Sequence, residues 1–187
     1  MRRQAARLIP FEQSVPLDVQ ITAELVWKSD GWLELSYGVL ALATAGITPL
    51  VLPEGLMDGP QHGQCKDDLW TTTCFEAFLG LPGQESYWEI NLSPCGDWAV
   101  YRFTDYRSGQ EAQPLRCDPH IQLQRRHHQL RLDARLPLAP WWSAGVCLEL
   151  SLTAVIDKGA DVNARSSKCH LTVLGMYCRA GRLQEAE

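Results

Sequence analysis

The chain has no cysteine pair at CxxC spacing, no phosphate-cradling glycine loop and no concentrated set of nucleophile and base. These absences set aside the commonest metal, nucleotide and nucleophilic chemistries. A basic excess is missing too. With net charge −5 and pI ≈ 5.5, the chain lacks the charge balance of a general nucleic-acid binder. Its one basic stretch, Arg125-Arg126-His127-His128 with Arg131 and Arg135, has no interleaved aromatics and reads as a solvated hairpin tip with its flanks. Long apolar runs are also absent. The uncharged run Val39 to Pro53 is interrupted by Gly46, Pro49 and two threonines and is too short to span a bilayer. The opening residues, Met1 to Arg7, carry no apolar segment of the signal-peptide kind. No membrane and no nucleic-acid partner is therefore expected. The seven cysteines, at 65, 74, 95, 117, 147, 169 and 178, are odd in number and scattered. Without an export signal they predict free thiols in a reducing compartment, the cytoplasm.

What is present is alternation. The 187 residues, 45% of them hydrophobic, suffice for one good core. Val19, Ile21, Ala23 and Leu25 alternate with Asp18, Gln20, Thr22 and Glu24, the period of a half-buried strand. After the turn signal Ser29-Asp30-Gly31, the residues Leu33, Leu35, Tyr37 and Val39 alternate again, which predicts a hairpin. A proline- and glycine-rich loop is expected from 49 to 66. Ile121 and Leu123 are expected to pair with Leu130 to Leu136 across a turn at Arg125–Gln129, and Val146 to Ile156 reads as a long strand. So many short strands predict an all-β fold, an antiparallel, jelly-roll-like β-sandwich over residues 1–157, its strands running from about residue 15 to 156. Residues 158–187 break the pattern and read as an atypical C-terminal tail, irregular or with a short helix, less tightly integrated than the sandwich. Fragments there look like an ankyrin end (Gly159 to Ala164) and a pentatricopeptide helix (Met176 to Ala186), but a single repeat cannot bury its own apolar face.

The informative stretch lies between Asp67 and Arg107, where aromatic residues sit beside carboxylates, an amide and an arginine. Such residues stack on a flat hydroxylated ligand and hydrogen-bond its edge. Trp70, at a loop-to-strand entry, is the first choice for a stacking platform, with Trp98 as a second wall. Glu76 and Glu89 lie within otherwise apolar or aromatic runs, where a carboxylate needs a partner; Asn91 and Arg102 are the nearest candidates. Side-chain parity suggests one strand face gathering Glu76, Glu89, Asn91, Trp98 and Arg102. A closed ion-pair network holding two strands in register is the equal alternative.

The strings Leu69-Trp70, Thr73 to Phe78, Tyr87 to Pro94 and Gly96 to Phe103, with Tyr106-Arg107, resemble the bacterial DOMON-like domain proteins. That group is similar in turn to family-nine carbohydrate-binding modules. The resemblance implies a β-sandwich with a ligand site on one face, for a sugar in the carbohydrate modules and haem in some DOMON proteins. After Ile156 the chain departs from the group, showing neither its Ser-Tyr-Trp-Ala-Leu strand nor its His-rich end. A non-catalytic module for a saccharide or other small molecule is the expected function, with no cofactor and no metal. Haem binding would draw on Met57, His62, His170 and Met176. Cys169-His170 with Cys178 lacks the paired spacings of zinc. A glycosidase would use Glu76 and Glu89, but an adjacent Arg102 would hold both ionised. A structural or protein-interaction sandwich without a small ligand is the remaining alternative.

Overall fold

The computed structural model describes residues 2–10, 19–41, 56–126, 129–138, 141–142, 146, 148–157, 169–172 and 176–177. Thirteen strands follow in order: β1 (Arg2–Pro10), β2 (Val19–Trp27), β3 (Trp32–Ala41), β4 (Gly59–Gln61), β5 (Cys74–Gly80), β6 (Tyr87–Leu92), β7 (Trp98–Phe103), β8 (Glu111–Ala112), β9 (His120–Arg126), β10 (Gln129–Pro137), β11 (Glu149–Ile156), β12 (Cys169–Thr172) and β13 (Met176–Tyr177). Among the described residues the only helical element is a single 3-10 turn, Leu69–Thr71.

Every pairing between these strands is antiparallel, and they make two sheets. The first runs β4-β9-β10-β3-β2-β1 and the second β12-β11-β5-β6-β7-β8, with β13 also on β11. β1 belongs to both: Arg2 to Leu8 pair with β2, whereas Ile9 and Pro10 pair with β12. The period-2 pattern explains the layering. Ile21, Leu25, Leu35 and Leu132 of the first sheet and Phe75, Leu79, Ile90 and Leu152 of the second point inward into one core. Tyr37 and Phe75 stack across it with ring centroids 4.9 Å apart. The Tyr37 hydroxyl, fully buried, donates to the Glu76 carbonyl at 2.6 Å, tying the two sheets by a polar link as well.

The expected sandwich is observed, and so are the β2–β3 and β9–β10 hairpins. Three differences are instructive. The loop expected over 49–66 contributes β4, which pairs with β9. Residues 2–10, expected to precede the first strand of the sandwich, form the shared strand β1. The tail, expected to be irregular or helical, supplies β12 between β1 and β11 and β13 beside β11. Backbone hydrogen bonding rather than a strong apolar pattern places these segments, because the free flanks of β11 and β1 offer unpaired N–H and C=O groups. The remainder of the tail, including residues 178–187 where a helix was expected, lies outside the described residues.

Candidate ligand-binding face

In antiparallel strands, directly opposed residues share a face. The register pairs Glu76 with both Asn91 and Thr153, and Glu89 with Tyr101 and Phe78. These side chains therefore occupy the outer face of the second sheet, with Cys74, Tyr87 and Phe103. The same register pairs Leu92 with Trp98 and Trp88 with Arg102. Trp98 and Arg102 thus lie on the opposite, inward face, which corrects the expected grouping of five polar and aromatic residues. Parity within each strand had been assigned properly; what failed was the match between strands. Trp98 is 7% exposed within the main core, and the Arg102 guanidinium lies 5.3 Å from the Trp88 ring centroid.

The outer face has two levels. Its floor is buried and hydrogen-bonded. Thr153 Oγ1 donates to Glu76 Oε2 at 2.6 Å, and Asn91 Nδ2 donates to Glu89 Oε1 at 2.8 Å. Glu76 is 8% exposed and Asn91 is fully buried. Burial pushes the Glu76 carboxyl up to about 7, against the Thr153 hydrogen bond, with Glu89 adding to the rise. Burial raises Glu89 as well, opposed by Asn91 and by the charge of Arg107. The Cys74 thiol is pushed well up, chiefly by burial, so it behaves as a small apolar group.

Aromatic rings frame this floor. Tyr87 and Phe103 stack at 4.8 Å with an interplanar angle of 6°, and Phe78 lies 6.1 Å from Tyr87. Trp70, half-buried in the 3-10 turn, meets Tyr101 edge-on at 6.0 Å. The Tyr101 hydroxyl donates to Asp67 Oδ1 at 2.6 Å, fixing the approach to that turn. With Leu69, Cys74, Ala99 and Val155 the rings of Tyr101 and Phe103 form a second, smaller apolar cluster, against which Trp70 and Tyr87 pack. The Glu89, Tyr87, Phe78 and Trp70 side chains remain partly open at the rim.

Two backbone positions at the margin are unusual. Asp68 (φ 62°) and Arg107 (φ 54°) are the described non-glycine residues in the left-handed region, where L side chains are strained. The first sets the entry into the Leu69–Thr71 turn. The second sits in the turn where Ser108 N–H donates to the Asp105 carbonyl at 3.1 Å, and its own N–H donates to the Tyr87 hydroxyl at 3.3 Å. Both strained residues border the same aromatic frame.

Of the expected site residues, the structure thus assembles Trp70, Glu76, Glu89 and Asn91, and separates Trp98 and Arg102 from them. Sequence reasoning missed Tyr101, Phe103, Thr153 and Arg107, and placed Tyr87 on the face of Glu89 and Asn91 without giving it a role. The alternation Tyr101/Phe103 and the Thr153/Glu76 register could have pointed to three of the missed residues once the pairing was known. Met57 and His62, named for haem, are exposed to either side of β4. His170 and Met176 fall in β12 and β13, and Cys178 lies outside the described residues. Among the described residues, no three His, Cys, Asp or Glu side chains are grouped to hold a metal ion, and no helix is long and apolar enough to cross a membrane.

No family model matches the chain, and no curated protein matches it. The fold is similar to that of a solved protein described as a "putative carbohydrate-binding protein" from Bacteroides uniformis ATCC 8492. TM-score is 0.57 at 10% identity, over 90% of this chain and 76% of the other. Two structures of a family-nine carbohydrate-binding module from Caldicellulosiruptor kristjanssonii also align. The one solved with glucose gives TM-score 0.43 and 15% identity over 85% of this chain and 69% of that one. The one solved with cellotriose gives 0.46 and 12% over 90% and 72%. The likeness to the Bacteroides uniformis protein establishes a shared β-sandwich architecture.

Proposed function

We propose that the chain is a non-catalytic carbohydrate-binding module whose ligand lies on the outer face of β11-β5-β6-β7. The observation that carries this reading is the two-level face itself. A polar floor of Glu76, Asn91 and Thr153 underlies a partly open rim of Trp70, Tyr87, Phe78 and Glu89, bordered by two strained residues. Sugar rings present an apolar face that stacks on such aromatics and hydroxyls that bond to a carboxylate. The floor residues are already hydrogen-bonded, Thr153 to Glu76 and Asn91 to Glu89, so their part is to hold the rim in place; Glu89 is the carboxylate that remains partly open to a hydroxyl. The description of the Bacteroides uniformis protein as carbohydrate-binding supports the same reading.

Catalysis is disfavoured on grounds different from those the sequence suggested. Arg102 lies on the far face and does not hold the two carboxylates ionised. Glu76 is instead buried with Thr153 donated to one oxygen, which leaves it poorly placed to reach a glycosidic oxygen. The test is a glycan-array and calorimetric screen of wild type, Trp70→Ala and Glu89→Gln, with folding verified in each. Saccharide binding by wild type that weakens about tenfold in both variants is expected, without release of reducing sugar. Absence of binding, or binding unchanged in both folded variants, refutes the assignment.

A further inference from the structure

The outer face of the first sheet carries an open groove of about 340 Å³ on the other side of the sandwich from the face just described. Its residues follow from register alone. Arg7 pairs with Thr22, Thr22 with Gly38 and Gly38 with Arg131, so these four form one row across β1, β2, β3 and β10. The next row holds Ala5, Glu24, Ser36 and Asp133. Three strand steps separate the end arginines by roughly 14 Å of backbone, the span of one or two sugar rings.

The row is high at its ends and low in its middle. Gly38 has no side chain, and a Cβ built there would come within 2.8 Å of Thr22 Oγ1. The floor is therefore kept open and the Thr22 hydroxyl borders it. The walls are held by ion pairs. Arg3 meets Glu24 through Nε at 2.7 Å and Nη2 at 3.0 Å. Arg131 meets Asp133 through Nε and Nη2, both at 2.8 Å, and Ser36 Oγ donates to the same carboxylate. Two arginines are thus neutralised by two carboxylates at fixed positions. Arg7 differs: it lines the groove with no ion pair or hydrogen bond among the described residues. The groove carries one uncompensated positive charge beside hydroxyl and carboxylate groups.

From this arrangement we infer a second ligand site, selective for a hydroxylated molecule bearing a single carboxylate, of the uronic-acid class. Arg7 receives the carboxylate, and an arginine fork suits that group better than a lone ammonium would. The Thr22 hydroxyl and Glu24 meet the ligand's hydroxyls. Glu24 and Asp133 are neutralised by Arg3 and Arg131, so only the single charge of Arg7 is left for an anion and the site favours one carboxylate over polyanions and inorganic phosphate.

The test uses calorimetric titration of the full chain with glucuronate, glucose and acetate, in wild type, Arg7→Gln, Gly38→Ala and Trp70→Ala. Arg7 is exposed and has no partner among the described residues, so its replacement leaves the fold intact. Expected is glucuronate binding at least tenfold tighter than either glucose or acetate binding at this site. That binding should fall at least tenfold in Arg7→Gln, fall in folded Gly38→Ala and remain unchanged in Trp70→Ala. The inference is overturned if wild type does not bind glucuronate, if Arg7→Gln binds it equally well, or if acetate binds as tightly. Loss of glucuronate binding in Trp70→Ala would also overturn it, by assigning the acid sugar to the opposite face. Failure of neutral-sugar binding alone bears on the other site and not on this one.

Discussion

Glu76 is 8% exposed, and its carboxyl is pushed up to about 7. In the unfolded chain the same group ionises near 4.5. Protonated Glu76 therefore favours the folded state. Its contribution is fully present below about pH 4.5 and is lost progressively as pH rises to about 7. At 1.36 kcal/mol per pH unit this amounts to roughly 3 kcal/mol. Glu76→Gln should flatten that part of the profile. Denaturant unfolding of wild type and variant between pH 4.5 and 8 will show their difference shrinking at low pH. Parallel curves would mean that the carboxyl is not held neutral by burial.

Arg102 illustrates what a residue pattern alone can and cannot place. From the sequence it was an expected contact for a ligand hydroxyl. Its position over Trp88 on the inward face now predicts that Arg102→Ala leaves saccharide affinity unchanged and lowers stability by about 0.5–1 kcal/mol. Calorimetry and chemical denaturation of the same sample separate the two. Glu76, Glu89 and Asn91 were legible as a group because two of them share a strand and the third a period. Trp98 and Arg102 were misplaced because register between strands depends on turn geometry, here Ser93 to Asp97, which no alternation pattern encodes.

Among the elements, the strongly alternating strands β2, β3, β9, β10 and β11 were readable because each buries one apolar row. β1 and β12 were not. In β1 the inward row Gln4, Ala6, Leu8 is short of large apolar groups, and Arg3, Ala5 and Arg7 point outward. Such a strand is held by its neighbours' backbone and leaves little compositional trace. Polar links at element scale give a further prediction. Tyr37→Phe removes the donor to the Glu76 carbonyl between the sheets, leaving a buried acceptor with one partner fewer. A loss of about 1–1.5 kcal/mol is expected in denaturant unfolding, with the aromatic stack on Phe75 retained. Close approach supplies another. A Cβ on Gly63 would stand 2.0 Å from the Gly96 carbonyl carbon, where the segment leading to Lys66 crosses the β6–β7 turn. Gly63→Ala should cost at least about 3 kcal/mol, since backbone must move on both sides.

For the molecule as a whole, the two sheets are joined edge to edge through β1 and β12 as well as face to face through the core. The tail read from the sequence as peripheral therefore has an architectural part. Truncation after Lys158 is expected to uncover the flanks of β1 and β11 together, lowering the unfolding midpoint and promoting concentration-dependent association. Sedimentation at several concentrations alongside thermal unfolding will test this. A truncated chain that stays monomeric with an unchanged midpoint would return the tail to a peripheral role.

The pairing of Ile9 with Thr172 and of Pro10 with Leu171 also bears on synthesis. A ribosome makes β1 well before β12, with ten strands between them, so one flank of β1 waits for its partner until all ten have been made. Loop closure over that length is slow compared with hairpin formation. The β2–β3 hairpin can zip early and hold β1 on its other side, but the seam between the sheets is sealed only once the late segment has left the exit tunnel. Until then the nascent chain carries an open strand edge, and it is in this interval that chaperone capture or pairing with a neighbouring nascent chain competes with the native closure.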